Sequence, residues 1–142
     1  MKNMLTKFLF TDNSKTTILI RIMVGLVFLS EGIQKFLFPD SLGAGRFALI
    51  GLPSPEFLGY FVGTFEILCG VLVLTGLFTR FAGIPLLIIM LVAIYTTKTD
   101  ILIHKGFWEM LHGSRTDFAM LLGSIFLIIK GGGSFSLDKK IF

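Results

Sequence analysis

Glu31, Lys35 and Glu66 lie inside long apolar runs of this sequence, and His104 and Asp117 stand at the edges of two others. An ionisable side chain within a membrane span costs about 2.5–3.5 kcal/mol on insertion scales, so such residues turn inward and mark sites of binding or proton transfer. On a helix, Arg21, Gly25, Phe28, Gly32 and Lys35 form one narrow stripe. Glu31 lies beside it, one turn before Lys35, where the two can pair along the helix. A second stripe joins Gly59, Gly63, Glu66, Gly70 and Val73. Gly25, Gly32, Gly59, Gly63 and Gly70 would let neighbouring backbones approach closely, which points Glu66 at another helix and away from lipid.

Together Glu31, Lys35, Glu66, His104 and Asp117 describe a polar pocket near one face of a bundle, open outward, that binds a small molecule or relays protons. Glu66 and Asp117 would accept protons, and Lys35 and His104 would supply cationic or hydrogen-bonding partners. The same residues also suit a structural role. Glu31 with Lys35, and Glu66 with Lys98 or Arg115, could be ion pairs that fix helix register, or the charges could form a lateral interface with a partner membrane protein. Arg21, toward the opposite end, is expected to snorkel to the surface.

Other chemistries find no support in the spacing. Cys69 is the one cysteine, so no CxxC pair exists for dithiol exchange. His104 and His112 share one connector, whereas haem held between two helices needs a histidine on each. With Glu109 they lack HExxH-like spacing, and no metal site is expected. Gly131-Gly132-Gly133 lacks the GK[ST] of a phosphate loop and reads as a helix stop. No dinucleotide fingerprint is present, and no intrinsic cofactor is predicted.

The elements that must position these residues are membrane helices. Hydrophobic residues make up 54% of the chain and charged residues 15%. Soluble domains carry about 25% charged residues, so this chain could not cover a soluble surface. A span needs about 20 mostly apolar residues. The runs predict helices at about 17–38, 57–78, 81–103 and 114–131, the last short enough to draw Asp117 into the membrane edge. The expected fold is all-α, a single membrane domain over 1–142 built as a four-helix bundle, in contact with lipid.

The net charge of +4 sits mostly between the runs, where orientation in a membrane explains it and nucleic-acid binding does not. Lys2, Lys7, Lys15, Arg80, Lys130, Lys139 and Lys140 fall on one side, against Arg46, Lys105 and Arg115 on the other, which places both termini in the cytoplasm. Lys7 and the polar run Thr11–Thr17 break the N-terminal apolar stretch, which does not read as a cleaved signal peptide. Met1, Met4, Leu5, Phe8 and Leu9 share one helical face, so residues 1–10 read as a short interfacial helix, with a flexible tail as the alternative.

Arg21-x-x-x-Gly25 with Phe28 and Gly32-x-x-Lys35, then Gly51-Leu52-Pro53-x-Pro55, Glu66-x-x-x-Gly70 and Gly76-Leu77-Phe78-Thr79-Arg80 follow in order. His104 with Gly106-Phe107, Asp117 and Leu137-Asp138 complete the series. In order and spacing the chain resembles the DoxX family of small four-helix bacterial membrane proteins, from about Ile20 to Asp138. Asp117 stands where that family usually has Glu, and Glu31 where the residue is often uncharged. The resemblance implies a multi-pass protein of the bacterial inner membrane. It implies a role as the membrane subunit of a quinone-linked oxidoreductase, with redox chemistry supplied by a quinone or a partner membrane protein. Other relatives look like accessory components, so a non-catalytic scaffold, or a homo-oligomer, is the alternative.

Overall fold

Gly and Pro interrupt the apolar runs, and the backbone turns at those interruptions. The computed structural model describes residues 2–142. It is all-helical, with no strand among the described residues. Helix α1 (Lys2–Leu9) precedes α2 (Thr17–Leu37), which ends just before Pro39. Two short helices, α3 (Pro39–Leu42) and α4 (Ala44–Ile50), fill the first connector and lead to α5 (Pro55–Thr75). A tight turn joins α5 to α6 (Thr79–Lys105). Helix α7 (Phe107–Gly113) occupies the second connector, followed by α8 (Arg115–Lys130) and α9 (Leu137–Ile141). Met1, part of the expected apolar N-terminal face, lies outside the described residues.

Among the described residues, α2, α5 and α6 are long and apolar enough to cross a membrane. Helix α8 has 16 residues. At 1.5 Å per residue it reaches about 24 Å, less than a hydrocarbon core of about 30 Å. It is nonetheless built into the same core. Val24 and Phe28 from α2, Cys69 and Val73 from α5, Leu86 and Met90 from α6, and Met120 and Leu127 from α8 are buried together. Helix α2 packs on α5, α5 on α6, α6 on α8, and α8 back on α2. The end of this ring that gathers α1 and α9 is here called the terminal end; the connectors with α4 and α7 lie at the far end.

The closest packing is between α2 and α5. A Cβ at Gly32 would lie 2.8 Å from the Gly63 carbonyl oxygen and 2.9 Å from the Ile67 amide nitrogen. One at Gly70 would lie 2.9 Å from the Leu29 amide nitrogen. Backbone meets backbone here, and neither side can yield as a flexible side chain could. In lipid, where apolar burial gives helices little reason to associate, such contact is the main attraction available. At Gly59 the neighbour is α4, whose Ala44 nitrogen would be 2.7 Å away.

Gly32→Val is expected to lower stability by about 1–3 kcal/mol or more, the usual cost of forcing atoms into a packed core. Gly113→Ala, with its nearest neighbour 3.8 Å away, serves as the neutral control. Thermal unfolding of both variants in detergent measures the difference.

Candidate functional site

Close approach of α2 and α5 decides which charge meets which. Lys35 projects from α2 back toward its N-terminus, as helical side chains do, and its Nζ lies 2.9 Å from Glu66 Oε2. The side chains are 10% and 5% exposed. Glu66 is eleven residues past the start of α5 and nine before its end. That places it about 16 Å and 14 Å from the two ends, at mid-span. Its Oε2 is buried, and among the described residues the Lys35 ammonium is its one partner. The expected Glu31–Lys35 pair does not form: Glu31 is exposed on α2 while Lys35 reaches across to α5.

A second pair lies further out. Lys98 Nζ is 3.0 Å from Asp117 Oδ2, tying α6 to the first turn of α8. Lys98 is nineteen residues into α6, about 28 Å from the α5–α6 turn, against about 14 Å for Glu66. His104 Nδ1 sits 3.1 Å from Asp100 Oδ1 on its own helix, and both side chains are mostly exposed. The five residues expected in one pocket are therefore divided. Lys35 and Glu66 meet, Asp117 takes Lys98, His104 takes Asp100, and Glu31 faces outward. The alternative partners of Glu66, Lys98 and Arg115, are not its neighbours in the fold: periodicity gives the face of a residue but not the register between helices. Among the described residues no three His, Cys, Asp or Glu side chains converge as a metal site would require.

Arg21 corrects the sequence reading more sharply. It does not snorkel; it is 2% exposed. Its Nε donates to the Val73 carbonyl at 2.9 Å and Nη2 to that of Leu74 at 2.6 Å. Its Nη1 donates to the carbonyls of Gly132, at 3.2 Å, and Phe135. Val73 and Leu74 lie in the last turn of α5, where carbonyls lack helical partners and the dipole is negative, so a planar guanidinium suits them. Beside it, Asp138 caps α6: Oδ1 accepts from the Phe78 amide at 2.6 Å and Oδ2 from that of Thr79 at 2.9 Å. The glycine triplet threads between these groups, and the Gly133 amide donates to Thr11 Oγ1. The signal for Arg21 was in the stripe it shares with Lys35, which faces the bundle. Nothing in local sequence signalled that Asp138 would cap a helix 59 residues away.

A concavity lies elsewhere. A groove of about 790 Å³ runs along α5, lined by Pro55, Phe57, Tyr60, Phe61, Thr64 and Phe65 among others. The rings of Phe57, Phe61 and Phe65 follow one another at 5.4 and 4.9 Å between centroids. Glu66 lies on the other side of α5, facing α2, so the groove and the ion pair are separated by the helix itself.

Two substitutions check these assignments. Lys35→Met is expected to destabilise by about 3–5 kcal/mol, because it leaves a buried carboxylate uncompensated, and Lys35→Met with Glu66→Met together should recover much of that loss. Asp138→Ala should cost about 0.5–2 kcal/mol through loss of the α6 cap. Denaturation in detergent micelles reads both.

Known proteins resemble this chain along most of its length. Residues 16–99 match the DoxX family. A protein of Mycobacterium tuberculosis named "Uncharacterized membrane protein Rv3486" is 50% identical over 141 residues, covering 95% of this chain and 86% of the relative. "Putative oxidoreductase CatD" of Bacillus subtilis is 32% identical over 126 residues, 89% of this chain and 87% of the relative. An uncharacterized protein of Haemophilus influenzae is 31% identical over 126 residues, 87% and 88% of the two chains. No solved structure matches the chain. The matched segment holds the glycine-packed α2–α5 pair with Lys35 and Glu66, and on these grounds the chain belongs to the DoxX family of membrane proteins.

Proposed function

We propose that this protein is the membrane subunit of an oxidoreductase complex, and that Lys35 and Glu66 hold and pass a proton at mid-membrane. The observation that carries this reading is the buried pair itself: a carboxylate at mid-span whose one partner among the described residues is the Lys35 ammonium at 2.9 Å. A pair with no third partner can shift its proton without dismantling a wider hydrogen-bond network. The name of the Bacillus subtilis relative is in keeping with redox work.

In this reading four helices span the bacterial inner membrane, with α8 as the short fourth. Its support is that Met120 and Leu127 share the core of the three long helices. Both termini face the cytoplasm. The contacts of Asp12 with Lys130 and of Asp138 with Phe78 bring the terminal segments to one end, and that end carries the richer set of lysines and arginines. A quinone would supply two-electron, two-proton acceptance. The α5 groove has a size and aromatic lining in the range of small-molecule sites. There Phe57, Phe61 and Phe65 would hold an apolar ring, and Tyr60 and Thr64 supply the polar atoms. The ion pair offers a quinone no place, since Gly32 and Gly63 bring the backbones of α2 and α5 together beside it. The redox centre would come from a partner membrane protein.

A second reading has its own support. Each of Lys35, Glu66, Lys98, Asp117 and Arg21 is engaged by charge or hydrogen bond, as in a scaffold whose charges lock the bundle. Glu66→Gln separates the two. As a proton-handling group, its loss should lower quinone reduction per assembled complex about 10²-fold or more, even where the unpaired Lys35 lowers the protein level. Loss of the partner or of the protein itself, with full specific activity in what remains, would establish the scaffold instead.

A further inference from the structure

Arg80 is the second residue of α6, at one end of a helix long and apolar enough to cross a membrane. Its Nε is buried and has no hydrogen-bond partner, and among the described residues no carboxylate lies within ion-pair distance of its guanidinium. The carboxylates at this end are committed. Asp138 accepts from two backbone amides, and Asp12 is held by Lys130 at 3.7 Å and by the Ser14 amide at 3.1 Å. Positive charge here is unopposed, since Lys7, Arg80, Lys139 and Lys140 have no ion-pair partner among the described residues. The two Nη groups of Arg80 likewise have no hydrogen-bond partner among the described residues but are not buried, which leaves them open to an anionic acceptor from outside the chain.

The surroundings specify what kind. Helix α1 lies against α6 through Phe8, whose ring meets Phe81 edge-on at 4.7 Å and carries Arg80 above it at 6.0 Å. On the same helix Met4 and Leu5 are 77% and 60% exposed beside the exposed Lys7. Lys139, from α9, stands 5.3 Å over the Phe10 ring. Apolar side chains interleaved with lysines on a short helix describe an element lying in the membrane interface. A guanidinium without a carboxylate suits a phosphodiester, which accepts its two parallel N–H groups. Free phosphate or nucleic acid would use the charge but not the exposed Met4 and Leu5.

We propose that α1, the start of α6 and α9 form a binding site for an anionic phospholipid, with Arg80 on the phosphodiester, Lys7 and Lys139 around the headgroup, and Met4 and Leu5 against the acyl chains. The lipid holds the amphipathic α1 on the membrane surface.

The test uses the full chain in mild detergent with phosphatidylglycerol, phosphatidylcholine of the same acyl chains, or inorganic phosphate. Binding is read by native mass spectrometry and by the shift in unfolding temperature. Phosphatidylglycerol should be retained and should raise the unfolding temperature, with phosphatidylcholine and phosphate giving little of either effect. Arg80→Gln should weaken phosphatidylglycerol binding at least tenfold, and Lys7→Gln or Lys139→Gln about fivefold each at low salt. Lys105→Gln, at the far end, should leave binding unchanged. If Arg80→Gln does not fold, the Lys7→Gln, Lys139→Gln double variant decides. Equal retention of the two lipids would overturn the proposal, as would phosphate matching phosphatidylglycerol, or variants of these cations that keep the full lipid preference.

Discussion

The buried contacts of Arg21, Lys35 and Glu66 depend on how closely α2 and α5 approach. Gly32 against Gly63, and Gly70 against Leu29, bring the two backbones to a separation that any side chain would prevent. That separation sets the register. With it, Lys35 comes within reach of Glu66 and Arg21 within reach of the last carbonyls of α5. A turn's slip would leave a lysine and a carboxylate facing apolar surface, where each is costly. Glycine packing and ion pairing therefore support each other: contact makes the pair reachable, and the pair penalises every other register.

The charges are arranged by depth. At the terminal end Arg21 and Asp138 satisfy backbone groups at helix ends, so they act as part of the secondary structure. At mid-span Lys35 and Glu66 compensate each other with little outside help. Toward the far end Lys98 and Asp117 join the long α6 to the short α8. Only the middle pair lies where both solvent and backbone partners are scarce, which singles it out as the chemically interesting one.

Much of this was legible in the sequence. The apolar runs mark the four longer helices to within two or three residues, because twenty apolar residues have few other uses. The stripes with Arg21, Lys35 and Glu66 point inward as the glycines beside them require. The partners were not legible. Lys35 has an attractive neighbour at Glu31, and local spacing cannot reveal that a residue 31 positions on is better placed. The short helices α3, α4 and α7 were hidden by their length, which is too brief for a periodic signal. His104 and Asp117 looked convergent because both flank spans on one side, yet neither side nor depth fixes azimuth around a bundle.

The cap on α6 has a temporal meaning. The amide of Phe78 waits for a carboxylate that lies 60 residues later in the chain, and Arg21 waits still longer for the carbonyls of Gly132 and Phe135. During synthesis α2 and α5 can leave the ribosome and enter the bilayer before these groups exist. Insertion and closure are thus separate events. A nascent chain stopped short of Gly132 would carry all three long apolar helices, yet would present a guanidinium missing half its acceptors. Such a chain would hold its long helices without the contacts that close the terminal end.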